Sequence, residues 1–86
     1  MSSGSAPVRS LEYVLGTTPT PEQVREVRLA AGLTMKQAAA LLYYSLRGYQ
    51  NFEQEVDRDN YRPMPPALFE LLMLKTGFLR LHEIKR

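Results

Sequence analysis

The chain has 86 residues, enough for one small domain with a thin hydrophobic core. Its formal net charge of +2 is mildly basic, which is compatible with nucleic acid but does not establish it. The chain contains no cysteine, which excludes disulfides and cysteine-based zinc sites. Its single histidine is His82. We therefore expect no metal centre and no cofactor.

Membrane insertion and secretion are not expected from the sequence. No apolar run approaches the ~20 residues that cross a bilayer, and residues 1–10 lack the apolar centre of a signal peptide. We expect a soluble, cytoplasmic protein without a membrane partner.

Capping signals in the first half of the chain predict two helices. Residues 1–18 begin with a stretch rich in Ser, Gly and Pro and are predicted to form a flexible N-terminal segment. Thr20 is a good N-cap, and Gln23 completes a capping box. This first helix should end at Gly32. Thr34 and Gln37 repeat the same box at the start of a second helix.

Two further helices are predicted in the second half. Ser45 caps a third helix that runs to about Gln54, with Tyr44, Tyr49 and Phe52 on the buried side. Residues 56–64 are polar and should interrupt the helical pattern. A fourth helix opens at Pro65 and closes at Gly77.

This order of elements predicts an all-α fold, a compact bundle of four to five helices in which residues 19–77 form the domain. Residues 78–86 follow it as a tail. The tail carries apolar residues beyond an already complete domain, so we expect it to form a dimer seam rather than a leftover of the core. The seam residues are Phe78, Leu79, Leu81 and Ile84.

The second and third helices are short, capped and separated by about three residues, as in a helix-turn-helix. Ala39 supplies the small residue needed where the two helices press together. The exposed side of the third helix carries Arg47, Gln50 and Asn51, and these residue types read base edges in the major groove. The pattern therefore predicts a DNA-binding motif.

The stretch GLTMKQAAALLYYSLRGYQNFE, residues 32–53, resembles the XRE family of Cro- and phage-repressor-like helix-turn-helix proteins. With PEQVREVRLAA upstream and the chain down to Gly77, the resemblance covers roughly two-thirds of the chain. It implies a lambda repressor-like DNA-binding fold and a recognition helix that begins at Ser45. It also implies a structural ion pair between Arg28 in helix one and Glu53 at the end of helix three.

Within that family, LLYYSLRGYQNFEQ followed by RPMPPALFELLMLKTG is similar to small phage and prophage regulators, including anti-CRISPR-associated repressors. Two positions depart from the family pattern. Tyr43 stands where a glycine usually occupies the turn, because that position requires a positive φ. Met35 replaces a glutamine that often contacts phosphate, so that contact should be missing or made by a neighbour such as Lys36.

The expected DNA contacts fall into two sets. Base edges are assigned to Leu46, Arg47, Gln50 and Asn51. Phosphates are assigned to Lys36, Tyr43, Ser45, Arg58, Tyr61 and Arg62. Each assignment has a plainer alternative: Arg47 as a phosphate contact or a solvated charge, and the loop around Arg58 as solvated surface, because nearby aspartates cancel part of its charge.

The function implied by the resemblance is transcriptional repression in a bacterial cell, with the protein associated with the nucleoid. We expect a homodimer on double-stranded DNA, at an inverted-repeat operator whose half-sites lie about 34 Å apart. No effector domain is evident, so we expect autoregulation without a small-molecule ligand. Two alternatives stay open: the antitoxin of a toxin–antitoxin pair, and a protein-interaction module that has lost DNA binding. No acid, base and nucleophile converge in the sequence, so we do not expect an enzyme.

Overall fold

The computed structural model describes residues 13–79. Within that range it contains no strand and four α-helices: α1 (Pro21–Ala30), α2 (Met35–Leu41), α3 (Leu46–Gln50) and α4 (Pro66–Thr76). A 3₁₀ turn, Asn51–Glu53, follows α3 directly. The predicted all-α class is confirmed.

Both predicted capping boxes are present. The Thr20 hydroxyl accepts the Gln23 N–H at 3.1 Å, and the Gln23 side chain accepts the Thr20 N–H at 2.9 Å. Thr34 and Gln37 repeat this exchange at the same distances. Each box satisfies two backbone donors that a helix start otherwise leaves unpaired, and this fixes where α1 and α2 begin.

Glycines end α1 and α4 as predicted. Gly32 has φ +74° and Gly77 has φ +87°, in the left-handed region that glycine enters without a Cβ clash. After Gly77, the Phe78 N–H returns to the Met73 carbonyl at 2.9 Å, which satisfies an orphan carbonyl of α4.

The third helix is shorter than the sequence predicted. It is α-helical only to Gln50 and continues as a 3₁₀ turn to Glu53, a tightening that is common at helix ends. In this tighter turn both Phe52 and Glu53 are buried. The prediction of one helix to about Gln54 therefore needs this correction.

The core lies between α1, α2, α3 and α4. It includes Met64, which is 1 % exposed and comes from the stretch that the sequence predicted only as a helix break. Ala39 of α2 is buried, as predicted, and its carbonyl accepts the Tyr44 N–H at 2.9 Å. The core residues are Val24, Val27, Ala38, Ala39, Leu42, Tyr49, Phe52, Met64, Phe69, Leu72 and Met73.

Tyr44 is not a core residue, contrary to the prediction. Its side chain is 41 % exposed and rests one side of its ring on Phe52, with the centroids 5.3 Å apart. The ring also lies close to Gly48, where an added Cβ would come within 3.3 Å of Tyr44 and 3.2 Å of the Ser45 hydroxyl. Gly48 thus leaves room for both the ring and the cap.

The segment before α1 is attached to α4. The Tyr13 ring meets Phe69 edge-on at 4.7 Å. The Glu70 carboxylate accepts the Gly16 N–H at 2.7 Å and lies 3.0 Å from the Tyr13 hydroxyl. Residues 13–17 therefore pack on the domain, although the sequence analysis placed them in the flexible segment that ends at residue 18.

The expected dimer seam is only partly within the described range. Phe78 and Leu79 are half-buried and pack against the core of their own chain, so part of their apolar surface is already covered. Leu81 and Ile84, like His82, lie outside the described residues.

Candidate nucleic-acid interface

The short helix α3 has two contrasting faces. Tyr49 is fully buried, whereas Leu46, Arg47 and Gln50 are exposed. Ser45 caps the helix by accepting the Gly48 N–H at 3.0 Å. Asn51 is half-buried in the 3₁₀ turn, and its carbonyl accepts the Arg62 N–H at 3.1 Å. Of the four expected base contacts, three thus stand open on α3 and the fourth is partly covered.

The turn between α2 and α3 is held in an unusual backbone conformation. Tyr43 has φ +61° and is the only non-glycine residue among residues 13–79 with a positive φ. For an L-residue this conformation costs about 1–2 kcal/mol. The side chain is 83 % exposed, so its burial contributes little to the stability of the fold.

Lys75 of α4 reaches this turn across the structure. Its Nζ donates to the Leu41 carbonyl at 2.7 Å and lies 4.3 Å from the centroid of the Tyr43 ring. The ammonium therefore caps the end of α2, where the helix dipole is negative, and makes a cation–π contact with the ring.

A groove of about 360 Å³ borders α3. Its lining mixes two cations with two carboxylates and comprises Arg25, Met35, Gln50, Glu53, Gln54, Glu55 and Arg58. Gln50 and Arg58, expected as a base contact and a phosphate contact, are thereby brought to one groove. Lys36, the next residue after Met35, is exposed at the start of α2.

The other two loop residues expected at phosphate are placed differently. Tyr61 lines a separate groove at the start of α1, beside the carboxylates of Glu22, Glu55 and Asp57, a setting that repels phosphate. The Arg62 guanidinium donates to the Tyr61 carbonyl at 2.8 Å and to the Asp59 carbonyl at 3.3 Å, although its side chain remains exposed.

The expected ion pair between Arg28 and Glu53 is present and buried. Nε and one terminal nitrogen of Arg28 donate to the two carboxylate oxygens at 2.7 and 3.1 Å, which is a bidentate pair. The other terminal nitrogen donates to the Leu33 carbonyl at 3.0 Å. Tyr49 adds a hydroxyl donor to Glu53 at 2.5 Å. The network thus ties α1, the turn before α2 and the end of α3 to one another.

Burial and this network shift two pKa values. Burial raises the pKa of Tyr49, and the hydrogen bond to the Glu53 carboxylate raises it further. The hydrogen bonds to Glu53 raise the pKa of Arg28. The Tyr49 hydroxyl therefore stays protonated and donates a hydrogen bond to Glu53. The hydrogen bonds from Tyr49 and Arg28 to Glu53 hold the end of α3 in position.

The sequence analysis missed three residues in and around the candidate interface: Arg25, Gly48 and Lys75. Arg25 lies 3.8 Å from Glu53 and is 44 % exposed in the groove beside Gln50. The sequence analysis assigned no role to Lys75 or to Gly48. Arg25 lies three residues before Arg28 on α1, so helical spacing could have placed it on the same face. No local signal links Lys75 to Leu41, which lies 34 residues away in the sequence.

Residues 13–79 contain no group of three or more His, Asp or Glu side chains placed to hold a metal ion. None of the helices in that range is long and apolar enough to cross a membrane.

Comparisons of the chain with protein-family models, curated proteins and solved structures found no match.

Proposed function

We propose that the chain is a sequence-specific DNA-binding protein in which α2 and α3 form a helix-turn-helix and α3 enters the major groove. The single observation that carries the proposal is the division of α3 into a buried face at Tyr49 and an exposed face with Arg47 and Gln50. Arg pairs with guanine, and Gln with adenine, through two hydrogen bonds each.

The rigidity of the support favours the same function. A base-reading side chain needs a backbone that does not shift by an ångström, and sites on packed elements achieve this better than loops. Here Glu53 anchors the end of α3 to Arg28 and Tyr49, while Ser45 caps its start. Leu46, exposed beside the cap, is suited to a thymine methyl group.

Cations around α3 would hold the duplex by its phosphates. Lys36 and Arg58 keep this role from the sequence analysis, and Arg25 joins them because it lines the same groove as Arg58. Tyr61 is the weakest of the predicted phosphate contacts because three carboxylates share its groove. Such contacts fix register and orientation, and base contacts then select sequence.

In this proposal the protein represses transcription, including that of its own gene, as a twofold dimer on an inverted repeat. One five-residue helix spans few base pairs, so a second copy is needed for selectivity. Because Phe78 and Leu79 pack on their own core, Leu81 and Ile84 become the better test of the seam. A Leu81→Asp, Ile84→Asp variant should sediment as a monomer and lose operator affinity.

The deciding experiment is footprinting of the duplex upstream of the protein's own gene, followed by titration at several salt concentrations. We expect a protected inverted repeat with half-sites about 34 Å apart and affinity that falls steeply with salt. Absence of any salt-sensitive duplex binding, together with tight binding to a partner protein, would replace the proposal with the interaction-module alternative.

A further inference from the structure

The turn that joins α2 to α3 contains a feature that the stability of the fold does not explain. Tyr43 holds a left-handed backbone that a glycine would adopt without strain, and its ring stands 83 % in solvent. A large side chain at this position costs conformational energy and covers little of the protein. Its exposed ring is therefore available to a partner.

The ring is held in place by a residue outside the two joined helices. Lys75 of α4 donates to the Leu41 carbonyl at 2.7 Å and lies 4.3 Å from the ring centroid. An ammonium group has three donors, and this carbonyl uses one of them. Lys75 is also exposed, so its remaining donors are open to a ligand beside the ring.

The chemistry of this pair suits one kind of ligand. A fixed ammonium and a phenol hydroxyl together offer hydrogen-bond donors and a positive charge to an anionic oxygen, and the ring offers an apolar face to a sugar. The pair lies at the end of α2, two residues before the cap of α3, and therefore at the flank of the helix proposed to read bases.

We propose that Lys75 and Tyr43 form a phosphate clamp, in which the Lys75 ammonium contacts a backbone phosphate and Tyr43 packs against the adjoining sugar. The inference rests on the proposed function, because it concerns how the same duplex is held. It extends the DNA-binding surface from α2 and α3 to α4. The pair contributes to affinity and register but not to the choice of bases.

The test compares Lys75→Met with Lys75→Arg on the full chain, using the footprinted operator and a scrambled duplex of equal length. One lost phosphate contact lowers the slope of log K against log salt by about 1 for each protomer. Each phosphate contact contributes about 0.9 log units of affinity per tenfold decrease in salt. At 0.1 M salt, one tenfold step below 1 M, its loss therefore weakens binding about eightfold per protomer. We expect Lys75→Met to show this loss equally on both duplexes, and Lys75→Arg to retain the wild-type slope.

Tyr43→Asn provides an independent variant, because asparagine tolerates the left-handed backbone and removes only the ring. We expect thermal stability no lower than that of the wild type, and weaker binding to both duplexes. In this background Lys75→Met should still lower the salt slope, since the ammonium contacts phosphate itself. If Lys75→Met does not fold, Tyr43→Asn decides alone, and wild-type affinity in that variant overturns the clamp.

The outcomes separate this inference from the proposed function. A wild-type protein without salt-dependent duplex binding removes the proposed function. A wild type that binds, with a folded Lys75→Met variant of unchanged salt slope, removes only the clamp. In that case a drop in thermal stability would identify Lys75 as a helix cap for α2 and nothing more.

Discussion

Arg28 and Lys75 both connect distant parts of the chain, in opposite surroundings. Arg28 meets Glu53 across 25 residues in a site where the two residues are 9 % and 6 % exposed. Lys75 meets the Leu41 carbonyl across 34 residues in solvent, beside a strained Tyr43. No side-chain polar atom buried within residues 13–79 lacks a hydrogen-bond partner. The Arg28 network is therefore complete, whereas the ammonium of Lys75 has donors to spare.

The difference separates residues that hold the fold from residues available to a ligand. A buried charge has lost its hydration, so removing its partner is expensive for the whole structure. An exposed cation keeps its water, so its contact with the protein contributes little stability. Substitutions at the first site should therefore act on unfolding, and those around the second should act on binding.

The largest effect is expected for Glu53→Ala, which leaves the Arg28 guanidinium buried without its carboxylate. Loss of one partner of a buried pair costs about 3–5 kcal/mol. The Tyr49 hydroxyl loses its acceptor in the same variant. Urea unfolding followed by circular dichroism measures the change.

Glu55→Ala is the matched control for that variant, because Glu55 is an exposed glutamate two residues away. It should lie within about 0.5 kcal/mol of wild type, as surface substitutions usually do. Equal stability of Glu53→Ala and Glu55→Ala would remove the distinction between the buried and the exposed site.

A smaller effect, on binding and not on unfolding, is expected for Arg47→Ala. Arg47 is exposed on α3, and a lost bidentate base contact costs about 1–3 kcal/mol per half-site. The ratio of operator to scrambled-duplex affinity should fall while the unfolding curve stays in place. Lys36→Ala is the control: as a phosphate contact, it should weaken both duplexes alike. A wild-type ratio in Arg47→Ala would show that this residue does not read bases.

Local signals predicted the elements that local energetics fix. Thr20 with Gln23, and Thr34 with Gln37, set two helix starts within four residues of sequence, and Gly32 and Gly77 set two ends. The contact between Arg28 and Glu53 was predicted by the family resemblance. Periodicity does not encode contacts between distant segments.

Met64 became a core residue because the chain after α3 folds back before α4, and no spacing rule marks such a residue. The same limit applies to the candidate interface. The exposed side of α3 follows from helical spacing, so Arg47 and Gln50 could be named in advance. Lys75 reaches Tyr43 only through the packing of α4 beside the turn, which becomes visible once the helices are assembled.

The smallest effect is expected at Tyr13. This residue is half-buried, between the buried setting of Arg28 and the exposed setting of Lys75. Burial, followed by the hydrogen bond and charge of Glu70, raises its pKa from 10.0 to about 12. The folded state therefore keeps a proton that the unfolded chain releases near pH 10. This contribution to stability is complete below pH 10 and is lost as pH rises from about 10 to about 12.

Tyr13→Phe removes that contribution and keeps the ring on Phe69. We expect a loss of about 0.5–1.5 kcal/mol at pH 8, near the lower end because solvent reaches the pair, and a shrinking difference from wild type above pH 10. Tyr44→Phe, a loss of hydroxyl from an exposed ring, serves as the control. Urea unfolding between pH 8 and 11.5 gives both values. A difference that stays constant across this range would mean that Tyr13 and Glu70 do not share a proton-dependent contact, and that residues 13–17 are held on α4 by the Tyr13 ring and the hydrogen bond from the Gly16 N–H to Glu70.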